Sequence, residues 1–296
     1  MSRIPLAWLQ LTGQKGRLMV AIAGIAFADL LMLMQVGFES ALYDSNTRLH
    51  ESLDTDLVLV SPQARNLGDM STIPQRRLHQ ARSLPKVASV APFYTKAINW
   101  QNPQTRKKAA IFLFGFDLEH PAFALPEVNQ NLAALKQPDR LLFDQATRGT
   151  YGEVIAQVEA GESVTTEIAS RTVHIEGLYS VGGSFAGDGS LMASERTFRR
   201  LVPFSRGTVS MGLIKLVPGA DAEATAAALK TYLPDDVRVL TKAELVAFEA
   251  SYWRTNTPIG FIFMVGTAMG FVVGIIIVYQ ILYSDIADHM AEYATL

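Results

Sequence analysis

The sequence predicts an α+β membrane protein: two transmembrane helices flanking one mixed α/β domain. Three observations carry this. Leu18 to Phe38 and Pro258 to Tyr283 are long apolar runs, each at or above the roughly 20 residues a helix needs to cross a bilayer core. The stretch between them alternates strand-like and helix-like patterns of ordinary polarity. The 49% hydrophobic content of the 296 residues is close to a soluble average, so the apolarity is concentrated in the two runs.

Residues 1–17 precede the first span. Leu6, Trp8 and Leu9, with Lys15 and Arg17 beyond them, suit a short amphipathic helix lying on membrane lipids; an extension of the span fits nearly as well. The first span, residues 18–38, carries Asp29 near its middle. A carboxylate there costs about 3 kcal/mol on insertion scales, which the surrounding Leu, Ile, Met and Phe side chains offset. Asp29 reads either as a proton site or as a hydrogen-bonded packing residue, and the second reading is favoured. The run exceeds a signal-peptide core and lacks a small-residue cleavage pattern after it, so an anchor is expected rather than a cleaved leader. Arg3, Lys15 and Arg17 put the N-terminus inside. Residues 39–257 then lie outside the cytoplasmic membrane, and 284–296 return inside.

The second span, 258–283, has no charged residue and repeats G-x-x-x-G through Gly266, Gly270 and Gly274. Small residues at this spacing line one helical face and permit close approach of another helix. Gly24 and Ala28 form a weaker version in the first span.

Within the domain, Asp56 to Ser61 reads as a buried strand, and QRRLHQARS after Ser71, Thr72 and Pro74 as a helix. Val87–Ile98 and Ala109–Phe116 are strands, and Glu127–Gln137 is a helix ending before Pro138. Ser163–Tyr179 reads as a hairpin turning near Ala169 and Ser170. VGGSFAGDGS follows as the most flexible stretch. Ser194–Val202 is a short helix bearing Arg196, Arg199 and Arg200, suited either to an acidic partner or lipid head group or to plain solvation. Met211–Val217 is a strand, Asp221–Tyr232 a helix, and Val237–Leu240 a strand; Thr241 and Glu244 form a capping box opening the next helix. One split groups about 50–116 with 206–255 as one subdomain and inserts 117–205 as another.

Chemistry is sparse. No G-x-x-x-x-G-K-[ST] loop is present, and GGSFAGDG does not open a dinucleotide-binding helix. The five histidines, His50, His79, His120, His174 and His289, have no i, i+4 pair, so no metal site and no catalytic site is expected. The absence of cysteine excludes disulfides, and the net charge of -2 gives no reason to expect nucleic acid.

After the second span the chain reads SDIADHMAEYATL. Nearly the whole sequence resembles the DevC-type permeases of ABC exporters, within the MacB and FtsX-like permease superfamily. The resemblance lies in PLAWLQLT, AIAGIAFADLLMLMQVGFESALYDS, DLVLVSPQ, QRRLHQA, FLFGFD and LPEV. Towards the end it continues in MGLIKLVPGAD, VLTKAEL and IGFIFMVGTAMGFVVGIIIVYQILYSDIADHMAEYATL. It implies a MacB-like periplasmic domain of two subdomains and a multi-pass protein of the inner membrane. It also implies a homodimer working with a separate ATPase that binds ATP, a periplasmic membrane-fusion adaptor and a TolC-like outer-membrane channel, with no cofactor in this chain. Motion would be relayed to the periplasm, for export of glycolipid of the heterocyst-envelope kind or other lipid-like cargo. Ser284 to Leu296 would be the coupling helix against the ATPase, with Asp285, Asp288, His289, Glu292 and Tyr293 on it. Such permeases have two further spans, so the sequence is expected to be cut short within that helix. The rival layout, a two-span receptor with an extracytoplasmic sensor domain, calls for a long signalling helix after the second span. The dozen residues there are too few for one.

Overall fold

The computed structural model describes residues 15–293. The expected amphipathic helix at 1–17 falls almost wholly outside the described residues.

The first apolar run folds as part of one 38-residue helix, α1 (Lys15–Ser52). At 1.5 Å per residue that is about 57 Å, nearly twice the roughly 30 Å of a bilayer core. The residues past the apolar run therefore stand beyond the hydrocarbon, and from Leu42 onward they belong to the compact unit Leu42–Tyr252. The second run forms α9 (Pro258–Tyr293). Both helices are long and apolar enough to span, and only 6% of the most apolar window of each is buried inside the protein. A soluble core helix would be mostly buried, so these faces are built for lipid.

The domain between them is a mixed α/β sandwich. Its strands are β1 (Leu57–Val60), β2 (Ile73–Pro74), β3 (Val87–Gln101), β4 (Lys108–Phe116), β5 (Arg140–Asp144), β6 (Val164–Ile168), β7 (Arg171–Tyr179), β8 (Ser190–Ser194), β9 (Thr208–Val209), β10 (Met211–Leu216) and β11 (Arg238–Thr241). Nine of them make one sheet in the order β11-β1-β10-β3-β4-β8-β5-β7-β6, and β2 and β9 pair separately. Strands drawn from residues 140–194 fill one end of the large sheet, and strands from either side of that segment fill the other. The parallel pairing of β4 with β8, Phe112 opposite Ser190 through Phe116 opposite Ser194, joins the two ends.

Both faces of the sheet are covered, which is why β1 reads as a continuous apolar run. Leu57 and Leu59 enter one core, and Val58 and Val60 the other, as strand alternation requires. The first core packs under α2 (Arg76–Ala81), α5 (Gly152–Glu159), α6 (Glu195–Leu201) and α7 (Ala222–Tyr232), through Leu78, Val154, Phe198 and Leu229. The second is covered by Leu49 of α1, Leu53 just after it, α3 (Pro126–Gln130), α4 (Leu132–Leu135) and Leu245 of α8 (Lys242–Thr255).

Local signals decide several boundaries. Asp221 caps α7 by accepting the Glu223 and Ala224 N–H groups at 2.9 and 3.1 Å. In the Thr241–Glu244 box, the Glu244 N–H reaches Thr241 Oγ1 at 3.1 Å and the Thr241 N–H reaches Glu244 Oε2 at 2.7 Å. The β6–β7 hairpin turns at Ala169 and Ser170, with φ of 49° and 61°, the left-handed pair that a two-residue I′ turn demands.

Three expectations need correction. The helix expected over Glu127–Gln137 is two short pieces, α3 and α4, broken at Asn131 with φ -99° and ψ 6°. The helix expected from Ser71 and Thr72 starts instead at Arg76, because Ile73 and Pro74 pair with β9 and Ser71 holds a φ of 53°. Strands β5 and β8 and helix α5 were not legible as elements; β5 and β8 lie inside the sheet, where a five-residue apolar run has no periodicity of its own.

Candidate functional site: the helix pair and the anchored loop

In the membrane unit, α1 and α9 run antiparallel with their small residues facing each other. A Cβ added to Gly24 would stand 3.0 Å from Ile277 Cγ2, one on Gly270 3.0 Å from Met32 Cγ, and one on Gly274 3.6 Å from the Cβ of Ala28. One on Gly266 would collide with the side-chain amide of Gln35. The three glycines of α9 thus address one stripe of α1 at Ala28, Met32 and Gln35, one turn apart. Absent side chains let the backbones approach, and without a hydrophobic drive between helices in lipid, such packing is what holds them. Ala28 is 2% exposed, whereas Leu30 and Leu33 on the same helix are 60% and 72% exposed. The seam is therefore narrow.

Asp29 lies beside that seam rather than in it. It lines a groove of about 440 Å³ with Ile25, Met32, Phe271, Ile275 and Tyr279. Helix α9 continues through Asp285, Asp288, His289, Glu292 and Tyr293, but the side chains of these five lie outside the described residues.

The VGGSFAGDGS stretch is fastened by a residue the sequence reading missed. Asp144, at the end of β5, is fully buried, and its carboxylate accepts four hydrogen bonds. They come from Val181 N–H (3.1 Å) and Ala146 N–H (3.1 Å) on Oδ1, and from Gly182 N–H (2.8 Å) and Ser190 Oγ (3.3 Å) on Oδ2. Burial pushes the Asp144 pKa up, and these four donors oppose that rise. Gly182 sits at φ 92°, where a side chain would be strained. A Cβ on Gly183 or Gly189 would strike Asp188 backbone or Thr147. The glycines here serve close packing, so the stretch is an anchored loop.

The loop is also tied to the extramembrane part of α1. Buried Asn46 accepts the Phe185 N–H at 3.1 Å through Oδ1, and Arg48 Nη1 donates to the Val181 carbonyl at 3.0 Å. The end of α1 is held further: the Asp54 N–H donates to Ala122 O at 2.8 Å and Lys242 Nζ to Leu53 O at 2.7 Å. The segment is thus tied to the loop that β5 fastens, to α8 and to the chain after β4. A period-3.6 reading of α1 marks Asn46 and Arg48 only as polar positions, and their partners lie 139 and 133 residues away.

The basic helix α6 is engaged within the domain. Arg199 donates from Nε to Glu195 at 2.9 Å and from Nη2 to Tyr94 Oη at 2.7 Å, and stacks 4.7 Å from the Tyr94 ring centroid. Arg200 pairs with Asp139 at 2.9 Å. Burial, followed by the Glu195 carboxylate, drives the Tyr94 pKa up. Two of the three arginines are thus held by the protein itself. Among the described residues no three His, Asp or Glu side chains converge as a metal site; His120 pairs with Asp117 at 2.9 Å.

Residues 18–232 match the family model described as the MacB-like periplasmic core domain. No curated protein matches the chain. Among solved structures, the chain is similar to the periplasmic region of MacB from Actinobacillus actinomycetemcomitans, at 10% identity and a TM-score of 0.38. That match covers 64% of this chain and 90% of that one. A second likeness is to the extracellular domain of the noncanonic ABC-type transporter YknZ from Gram-positive bacteria. It has 10% identity and a TM-score of 0.38, over 63% of this chain and 100% of that one.

Proposed function

The chain belongs to the family of the MacB-like periplasmic core domain, and on that premise we propose that it is the permease subunit of an ABC-type exporter. The observation that carries this reading is the match over residues 18–232 in a chain whose domain is flanked by two helices able to span a membrane. In this reading the domain stands in the periplasm and the spans cross the inner membrane. A separate ATPase subunit, which binds the ATP, works against the cytoplasmic face, and the chain itself holds no cofactor and catalyses nothing.

The work of such a subunit is mechanical. A push on α9 in the cytoplasm moves the helix pair, whose glycine seam keeps α1 and α9 in register. The hydrogen bonds from Asn46, Arg48 and Lys242 tie the outer end of α1 to the domain. Asp285, Asp288, His289, Glu292 and Tyr293 are the proposed ATPase contacts. A homodimer, a membrane-fusion adaptor and a TolC-like channel complete the proposed exporter, and the DevC-like sequence segments support lipid-like or glycolipid cargo.

The experiment is affinity capture of the chain from detergent-solubilised membranes of its native host, with mass spectrometry of what accompanies it. An ABC-type ATPase is the expected companion, lost on Asp288→Ala with Glu292→Ala. Capture of a signalling kinase in its place would overturn the reading.

A further inference from the structure

We propose that the groove beside Asp29 seats a third transmembrane helix, one that belongs to a partner polypeptide and carries a basic side chain at mid-membrane depth. The inference rests on the two spans and not on the transport reading.

Asp29 stands 11 residues after Leu18 and 9 before Phe38. At 1.5 Å per residue it lies about 16 Å and about 14 Å from the two ends of the apolar run, so its short side chain reaches neither membrane surface. Nor is it used in the helix seam. Ala28, Met32 and Gln35 meet the glycines of α9, whereas Asp29 is exposed on the flank. Among the described residues it makes no hydrogen bond or ion pair. Carboxylates at this depth face protein and pair with a cation or donor, because lipid offers them nothing. Residues 18–38 and 258–283 contain no Lys, Arg or His, so a second copy of the helix pair brings no counter-charge either. The counter-charge belongs to another polypeptide.

The groove has the shape of a helix seat. Ile25, Asp29 and Met32 of α1 and Phe271, Ile275 and Val278 of α9 line it, and both sets fall at i, i+4 and i+7. This is the spacing at which a further helix sets its side chains between those of its neighbours. Each set runs about 10 Å, two turns, along its helix. Both flanks are open: Ile25 is 40% and Ile275 53% exposed, against 2% for Ala28 in the seam. One carboxylate in an otherwise apolar seat selects the occupant by charge. A helix with a cation opposite Asp29 gains an ion pair where little screens it, and a wholly apolar helix leaves the carboxylate unpaired.

The test uses the purified chain in phosphatidylcholine vesicles at pH 7.5, with no ATPase present. The sequence has no cysteine, so Ser40→Cys, at an exposed position just past the first span, carries the donor dye. The probes are acceptor-labelled leucine helices of about 21 residues with Lys, Leu or Glu at the centre. Energy transfer should show the Lys helix associating about tenfold more tightly than the Leu helix, as one interhelical polar pair in lipid allows. Asp29→Asn should abolish that preference, and Asp29→Lys should transfer it to the Glu helix. Should Asp29→Lys fail to insert, Asp29→Glu, which keeps the charge, should retain the preference for Lys. Equal association of the Leu and Lys helices, or a Lys preference that survives Asp29→Asn, would overturn the proposal. So would association between donor-labelled and acceptor-labelled copies of the chain that is lost on Asp29→Asn, since a second copy would then be the occupant.

Discussion

Gly115 is a position where the domain leaves no room for a side chain. It lies in the middle of β4, paired with Tyr94 of β3 on one side and Ala193 of β8 on the other, so its backbone cannot retreat. A Cβ there would sit 2.5 Å from Phe198 Cβ and 2.7 Å from its Cγ. Ordinary contact begins near 3.5 Å, leaving an overlap of about 1 Å against the inner atoms of a ring that is itself 0% exposed. Rotation about χ1 cannot clear a clash with Cβ, so α6 must shift off the sheet. Overpacking of this kind costs about 1–3 kcal/mol, and the fixed neighbours put Gly115→Ala at the upper end. Phe198→Ala alone should cost about 3–5 kcal/mol by leaving a cavity. In the double variant the new methyl occupies part of that cavity, so the two losses should fall short of their sum by about 1–2 kcal/mol. Denaturant unfolding in detergent measures this, followed by the fluorescence of buried Trp100, which stacks on Tyr151 at 5.6 Å. Additive losses would mean that Gly115 is glycine for a reason other than the approach of α6.

Other outcomes follow from the same geometry. Asp144→Asn keeps an oxygen for Val181 and Ala146 but turns an NH2 group towards the Gly182 N–H. It should cost about 1–3 kcal/mol and speed hydrogen exchange at Val181 and Gly182, with unchanged exchange counting against the anchor. His50 gives a pH signature. Its pKa is lowered from 6.5 to about 4, so its contribution is fully present above pH 6.5 and is lost as pH falls through about 4. Wild type should lose roughly 3 kcal/mol more than His50→Gln between pH 7.5 and 4, and parallel stability curves would refute this. In the spans, Gly274→Ala should be nearly silent because its Cβ meets Ala28 at an ordinary 3.6 Å. Gly270→Leu should separate the pair, read as loss of cross-linking between cysteines placed at Ile25 and Val278.

Apolar length alone made the two spans legible, because a bilayer demands some 20 residues of apolar helix whatever the rest of the protein does. The short-range devices were equally plain in the sequence: the Thr241–Glu244 box, the Asp221 cap, the turn at Ala169 and Ser170, and the alternation of the hairpin around it. Each depends on residues within four or five positions of one another. The extent of α1 was not legible, since nothing in its periodicity changes where lipid ends and the domain begins. Nor was the role of the glycine-rich stretch: composition marks it as flexible, while the carboxylate that fastens it arrives from β5, and Asn46 and Arg48 come from a helix more than 130 positions earlier. The same holds for His50, which reads as an isolated histidine until α8 brings Glu249 within 3.7 Å of it. Local hydrogen bonds and hydrophobic length are written in adjacent residues. Buried polar partnerships are decided by which distant segments the sheet topology brings together, and only the folded chain states them.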